Sequence, residues 1–277
     1  MNSTVEVRQI KTIEELEKVQ QLEKAVWGDP AIPIHQTLTA IKNGGIVVGA
    51  YENNQLVGFS YGFPGFLNGK PYLCSHMLGI DENYRGQGIG EFLKKEQKNA
   101  AIEMGYDLLT WTYDPLESVN AFLNLSKLKA ICSTYVKNCY GDMKDGLNQG
   151  LPSDRFQVEW WITNPYIEEI HQDDLAAIER VPYMQTADGL PQLADVDPSS
   201  FFNREALLIP VSNQFQQMKK DYPELALDWR LKTRELFESL FANGFAAVRV
   251  VKTDDEPVHY YLLKKRDLLP VERRPFK

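Results

Sequence analysis

Arg85-Gly86-Gln87-Gly88-Ile89-Gly90 is the segment of this chain whose composition and spacing point most directly to chemistry. It follows an apolar run, Tyr72 to Ile80, and leads into a helical pattern. A strand, a tight Gly-rich turn and a helix N-terminus expose backbone N–H groups, and the helix dipole favours an anion there. Glycines let the backbone approach that anion with no Cβ in the way. Phosphate oxygens are therefore the expected ligand. Lys94, Lys95 and Lys98 would add positive charge, unless they form a solvated helix face.

Two familiar phosphate loops do not fit. The P-loop pattern G-x-x-x-x-G-K-[ST] is absent. A dinucleotide fingerprint needs G-x-G-x-x-G after the first strand of a βαβ unit, whereas here G-x-G-x-G follows an antiparallel meander. The pattern R-x-x-G-x-G is weak alone. Its place after a fourth strand gives it meaning.

The elements that must position this loop can be read along the chain. Val5–Ile10 reads as a strand, and the capping box Thr12-Ile13-Glu14-Glu15 opens a helix. A loop with Pro30, Pro33 and His35 precedes a second helix that ends near Asn43-Gly44-Gly45. Strands follow at 46–51, 56–63 and 72–80, with a hairpin turn at Asn68-Gly69. Helical spacing resumes at Ile89, Phe92, Leu93, Gln97, Ala100 and Met104, and Gly105 stops it. Asp107–Tyr113 is a buried strand, 116–128 a helix, and 131–136 and 155–162 two more strands. The order is β-α-α-β-β-β-α-β-α-β-β. Asn164-Pro165 marks a boundary, giving domains 1–164 and 165–277. The second domain should hold a helix near 168–179 and a linker or lid at 181–200. A β-α-α-β-β run would follow, echoing the first five elements as a partial repeat.

This arrangement resembles the GCN5-related N-acetyltransferase (GNAT) superfamily over roughly residues 5–163. The resemblance implies an α/β fold: a mixed, mostly antiparallel twisted sheet flanked by helices, here with an added C-terminal α/β domain. It implies that Arg85, Gly86, Gln87, Gly88, Ile89 and Gly90 bind the pyrophosphate of coenzyme A. Leu78, Gly79 and Ile80 would offer backbone groups to the pantetheine arm and thioester. Asn120, one turn before Asn124 on the same helix face, is the expected pantetheine contact. The family's usual Tyr-x-Lys-x-Gly-Phe appears as Leu125-Ser126-Lys127-Leu128-Lys129-Ala130, so its general acid is missing. Tyr140 or Tyr135 is the expected substitute. SHMLGI (75–80), TWTYDPLES (110–118) and SDRFQVEWW (153–161) look like a narrower GNAT branch. That branch resembles acyltransferases of N-succinyl amino acid metabolism.

The implied activity is acyl transfer from acetyl-CoA, or succinyl-CoA, to the amine of a small amino-acid-like acceptor, with no metal. The alternatives are acetylation of a protein lysine or N-terminus, and a non-catalytic coenzyme A sensor. A base must take the acceptor's proton. His76 is preferred, because it lies two residues from Leu78 and should share its face. Glu159 and Asp114 follow. Cys74 has no neighbour in sequence to lower its pKa, and His171 and His259 read as structural. His35 would border the acceptor and Arg155 would clamp its carboxylate. Trp111, Tyr113, Trp160 and Trp161 form an aromatic surface or core.

Composition excludes other classes. The 277 residues are 43% hydrophobic and 25% charged, as in ordinary globular proteins. A net charge of −8 argues against generic nucleic-acid binding. Three cysteines without a C-x-x-C fit a reducing cytoplasm. No apolar run approaches the roughly 18 residues of a membrane span. Besides the small-molecule acceptor, a homodimer partner is left open; nucleic acid and membrane are not expected.

Overall fold

The computed structural model describes residues 5–28, 30–141, 150–169 and 172–272. The chain divides into two compact units, Met1–Trp111 with Trp161–Asn164, and Thr112–Trp160 with Pro165–Lys277. The chain therefore passes between units after Trp111, after Trp160 and after Asn164, and residues 112–160 group with the second unit rather than with the first. Among the described residues, no helix is long and apolar enough to cross a membrane.

The first unit is built on strands β1 (Glu6–Gln9), β2 (Ile46–Glu52), β3 (Gln55–Leu67), β4 (Lys70–Ile80) and β5 (Leu108–Tyr113), in that order across the sheet. Neighbours are antiparallel until β4 and β5, which run parallel. Helices α1 (Ile13–Trp27) and α2 (Ile34–Lys42) come before β2, and α3 (Ile89–Glu103) joins β4 to β5. The Thr12–Glu15 capping box opens α1 as its sequence requires. The apolar stripe of α1, Leu16, Val19 and Leu22, packs with Val47, Phe59 and Tyr61. On the opposite face, a side chain at Gly58 would meet Ile89 and Leu93 of α3. Covered on both faces, β2 is a nearly continuous buried run rather than an alternating one.

The second unit continues with α4 (Ser118–Ala121), β6 (Ile131–Val136) and β7 (Arg155–Trp161). The helix expected over 116–128 is shorter than predicted, because α4 turns into a π-helical segment, Phe122–Lys127. Beyond β7 come the hairpin β8 (Tyr183–Gln185) and β9 (Pro191–Leu193), then β10 (Ala206–Ser212), α5 (Phe215–Asp221), α6 (Pro223–Ala242), β11 (Phe245–Val251) and β12 (Val258–Lys265). Within this unit the sheet order is β7-β6-β11-β12-β10. Phe237 and Phe241 of α6 cover Phe156, with ring centroids 4.8 and 5.1 Å away.

Three expectations for the second unit need correcting. No helix occupies the described residues near 168–179; Leu175 bonds back to the Asp173 carbonyl and Ala176 to the Asp174 side chain, local turns that compete with a helix. Residues 181–200 are neither linker nor lid. They form the β8–β9 hairpin, bury Val181 and Leu193, and accept the Trp229 indole N–H at the Pro191 carbonyl. The β10-α5-α6-β11-β12 order echoes the first five elements, but the pairing differs. β1 pairs with β2, the next strand in sequence, whereas β10 pairs with β12, so the sheet connections are not a repeat.

Candidate functional site

Gly86 and Gly88 adopt φ of +79° and +81°, which favours glycine. Gly88 is the N-cap of α3, and a Cβ on either glycine would meet nothing within 4 Å. The turn is thus an open cradle. The amides of Ile89 and Gly90, in the first turn of α3, have no carbonyl to bond within their helix. Arg85 is turned back, its Nε donating to the Ile80 carbonyl at 3.3 Å, which ties the loop to the end of β4. Gln87 similarly reaches the Asn83 carbonyl at 3.3 Å.

β4 brings the second half of the site. It pairs with β5 only at Leu73↔Leu109 and Cys74↔Thr110. Past that point its β5-facing edge, Ser75 to Ile80, is left with backbone groups to offer, while its other edge stays paired with β3. The open cradle and the parting strand edge lie next to each other, the cradle following on the end of β4.

The β3–β4 register shifts between Tyr61↔Met77 and Phe63↔Cys74, so Ser75 and His76 oppose the single residue Gly62. A side chain on Gly62 would crowd the Cys74 carbonyl at 3.0 Å. The irregularity overturns the same-face argument for His76 and Leu78. Leu78 pairs with Ser60, whereas the His76 ring lies edge-on to Phe63 at 5.6 Å and Tyr61 at 6.3 Å. There His76 keeps access to solvent, but partial burial lowers its pKa below 6.5. It is neutral at pH 7, as a base must be. With Ile32, Gln36, Thr39, Ala40, Asn43, Tyr61 and Phe63 it lines an open-mouthed pocket of about 440 Å³. His35 is exposed on α2 and does not line that pocket; Gln36 beside it does.

Lys94, expected near the phosphates or on a solvated helix face, is on the buried face of α3 instead. It is 2% exposed rather than solvated, donates to Ser75 Oγ at 2.7 Å and rests 3.5 Å from the Trp111 ring centroid. Burial lowers its pKa from 10.5 to about 7. Gly90, Leu93, Lys94, Gln97 and Ala101 share the buried face of α3, and their helical spacing was the signal for it. Phe92 and Met104, which follow the helical spacing, are exposed. Lys95 is exposed and pairs with Glu91 at 2.7 Å. Burial raises the Cys74 thiol, which argues against a nucleophile.

The candidates in the second unit are mostly structural. Glu159 is 1% exposed, accepting from Ser133 at 2.6 Å and from Arg266 at 2.7 Å; with both oxygens bound it is not a free base. Arg155, 6% exposed, donates to the Asp154 carbonyl and lies 3.8 Å from Asp114, so it is not an open clamp. Asp114 also holds Arg230 and the Leu116 amide. The Tyr135 hydroxyl donates to Asp154 at 2.7 Å, and burial raises its pKa, so its proton is committed. Tyr140 keeps an exposed phenol that shares a 2.7 Å hydrogen bond with Thr112, the form a proton donor needs. Asn120 is exposed but Asn124 is buried, because the π-helical segment breaks the i,i+4 alignment. Trp160 and Tyr113 are core residues. His259 accepts the Thr253 amide at 3.3 Å. His171 lies outside the described residues.

Residues 10–123 match the acetyltransferase (GNAT) family. No curated protein matches the chain in sequence. Among solved structures, the chain is similar to the ribosomal-protein-S18-alanine N-acetyltransferase from Escherichia coli, at 13% identity over 62% of this chain and 99% of that one, with a TM-score of 0.46. It is similar to an N-acetyltransferase from Staphylococcus aureus Mu50, at 17% identity over 58% and 100%, with a TM-score of 0.47. A third likeness is to an aminoglycoside acetyltransferase from an uncultured soil metagenomic sample, at 17% identity over 42% and 82%, with a TM-score of 0.37.

Proposed function

We propose that this chain, whose residues 10–123 match the acetyltransferase (GNAT) family, moves an acyl group from acetyl-CoA or succinyl-CoA to a small, amino-acid-like amine. The observation that carries the acceptor assignment is the pocket beside His76. Its volume of about 440 Å³ suits a small molecule. Its walls are aliphatic and aromatic with a few amide and hydroxyl groups, and no carboxylate, Lys or Arg lines it among the described residues. That lining favours an acceptor with a neutral, partly apolar side chain over a strongly charged one.

Acyl-CoA supplies an activated thioester. The chain's own residues supply the rest. The α3 N-terminus and the turn at Gly86–Gly88 hold phosphate oxygens through backbone N–H groups. The free edge of β4 orients the thioester arm. His76, neutral at pH 7, takes the proton that the acceptor ammonium must lose before attack; the C–N bond forms as the thioester C–S bond breaks, and the departing thiolate is protonated from solvent. Direct transfer needs no covalent enzyme intermediate, in keeping with the unreactive Cys74.

The test is a thermal-shift screen of acetyl-CoA and succinyl-CoA, followed by thiol release against a panel of amino acids. The expected result is stabilisation by an acyl-CoA and turnover with neutral amino acids or their simple derivatives. Absence of stabilisation by either acyl-CoA would reject the proposal. Turnover only with peptides would reject the small acceptor.

A further inference from the structure

Lys94 occupies a place where an ammonium costs stability. Its ammonium meets the Ser75 hydroxyl and the Trp111 ring, and among the described residues it pairs with no carboxylate; burial of a cation without a carboxylate is unfavourable. A Leu or Met would fill the same position on α3 without that cost. The location is specific. Ser75 and Trp111 are the first residues past Cys74↔Thr110, the last β4–β5 pair, and Lys94 Nζ meets both. The ammonium therefore sits at the apex where the two parallel strands part. Ser75 in turn donates to Gln97 Oε1. The other end of that amide, Nε2, is buried without a partner and turned toward Gly62, the residue opposite the Ser75–His76 irregularity. Lys94, Ser75 and Gln97 thus support that irregularity from the α3 side, while His76 projects on the other.

Resting on the acyltransferase reading above, we propose that Lys94 is a positioning residue for acyl transfer. Through Ser75 it fixes the step of β4 that sets His76, and its ammonium places positive charge beneath the strand edge that holds the reacting carbonyl. The charge is present below about pH 7 and lost above it. The groups facing it are few. Cys74 on β4 is a thiol that burial keeps neutral, Trp111 on β5 and Gln97 on α3 do not titrate, and His76 stands on the far face of its strand.

Steady-state kinetics of the wild type, Lys94→Met and Ser75→Ala from about pH 6 to about pH 9 test this, with the acetyl-CoA thermal shift as the binding readout. The wild-type kcat should carry a decline centred near pH 7. Lys94→Met should lose that decline and lower kcat about tenfold at acid pH. Its KM for acyl-CoA should change less than about threefold. Ser75→Ala, which leaves the lysine in place, should lower kcat by about threefold and decides the matter if Lys94→Met does not fold. A Lys94→Met enzyme with wild-type kcat and pH profile overturns the inference, as does wild-type kcat in Ser75→Ala should the first variant be unfolded. A wild type that binds and turns over no acyl-CoA overturns the acyltransferase reading itself, which separates the two failures.

Discussion

The two units treat buried charge in opposite ways. In the second unit, charges are paired. Arg230 is bound to Asp114, Arg266 to Glu159 and Arg234 to Asp154, each carboxylate also accepting a further hydrogen bond. In the first unit, Lys94 is 2% exposed and, among the described residues, pairs with no carboxylate. A buried pair of opposite charges with satisfied oxygens is a structural joint: it contributes little net energy but is costly to break. A buried charge held only by neutral groups is a standing cost, and such costs concentrate at working sites. Residue type alone pointed toward Glu159 and Arg155 as chemistry and toward Lys94 as surface. Partnership reverses both.

The sharpest way to break this contrast is to remove one partner in the second unit. Glu159→Gln leaves the half-buried Arg266 beside a neutral amide and should cost on the order of 3 kcal/mol in urea unfolding. The kcat of the folded fraction should stay within about twofold. A kcat loss of about a hundredfold at unchanged stability would instead make Glu159 the base and dissolve the contrast.

Lys94→Met should move stability the other way. Between pH 10.5 and about 7 the unfolded lysine is protonated and the folded one is not, so the cost grows as pH falls across this window and is complete below it. At pH 7 the variant should gain on the order of 4 kcal/mol, and the gain should vanish near pH 10.5. Urea unfolding at the two pH values measures it. A stability loss at pH 7 would mean the lysine is a structural group after all.

Much of the fold was legible because its signals are local. The capping box at Thr12, the turn at Asn68-Gly69 and the stop at Gly105 each act within a few residues, and every strand and helix of the first unit lies where they imply. The cradle at Gly86–Gly88 was legible for the same reason. His76 was found by residue type, but its face was misjudged. One extra residue in β4 reverses the alternation, and a bulge set by a close approach to Gly62 leaves no mark in a period-two pattern. The π-helical turn misled the Asn120–Asn124 alignment in the same way. Lys94 was hidden because a charged type was read as surface, although its spacing from Gly90 and Ala101 put it on the buried face. Pairing partners such as Arg266 for Glu159 lie 107 positions apart and cannot be read from local pattern.

Two further variants sharpen the contrast inside the first unit. His76→Ala should lower kcat/KM by about a hundredfold. Wild-type kcat/KM should rise with pH through a pKa below 6.5, where the imidazole becomes neutral, and the variant should lack this ascending limb. An ascending limb that survives would assign it to another base. Gly88→Ala should have a smaller effect. Nothing surrounds the added methyl, so its cost is the left-handed backbone alone, on the order of 1 kcal/mol. It should appear as a rise of about fivefold in the KM for acyl-CoA with little change in kcat, measured by steady-state kinetics. A kcat loss without a KM change would move this turn from binding to chemistry.

Glu23 is the intermediate case that tests how far the contrast extends. It is 7% exposed and, among the described residues, has no cationic partner, but its Oε1 accepts the Ile32 amide at 2.9 Å while Gln20 donates to the Ile32 carbonyl at 2.8 Å. Together they clamp a peptide whose side chain lines the His76 pocket. Burial raises the Glu23 pKa above 4.5, so stability falls as pH rises from 4.5 through the folded value, and the ionised form carries a cost at neutral pH. Glu23→Gln keeps an oxygen for the Ile32 amide and removes the charge. It should gain less than about 1 kcal/mol at pH 7 and nothing at about pH 4, with acceptor KM shifted about twofold. Paired unfolding curves at the two pH values and one acceptor titration measure this. If the variant instead loses activity while remaining folded, a carboxylate held by a single amide already belongs with Lys94, and unpaired burial marks the acceptor side of the site as well as the acyl side.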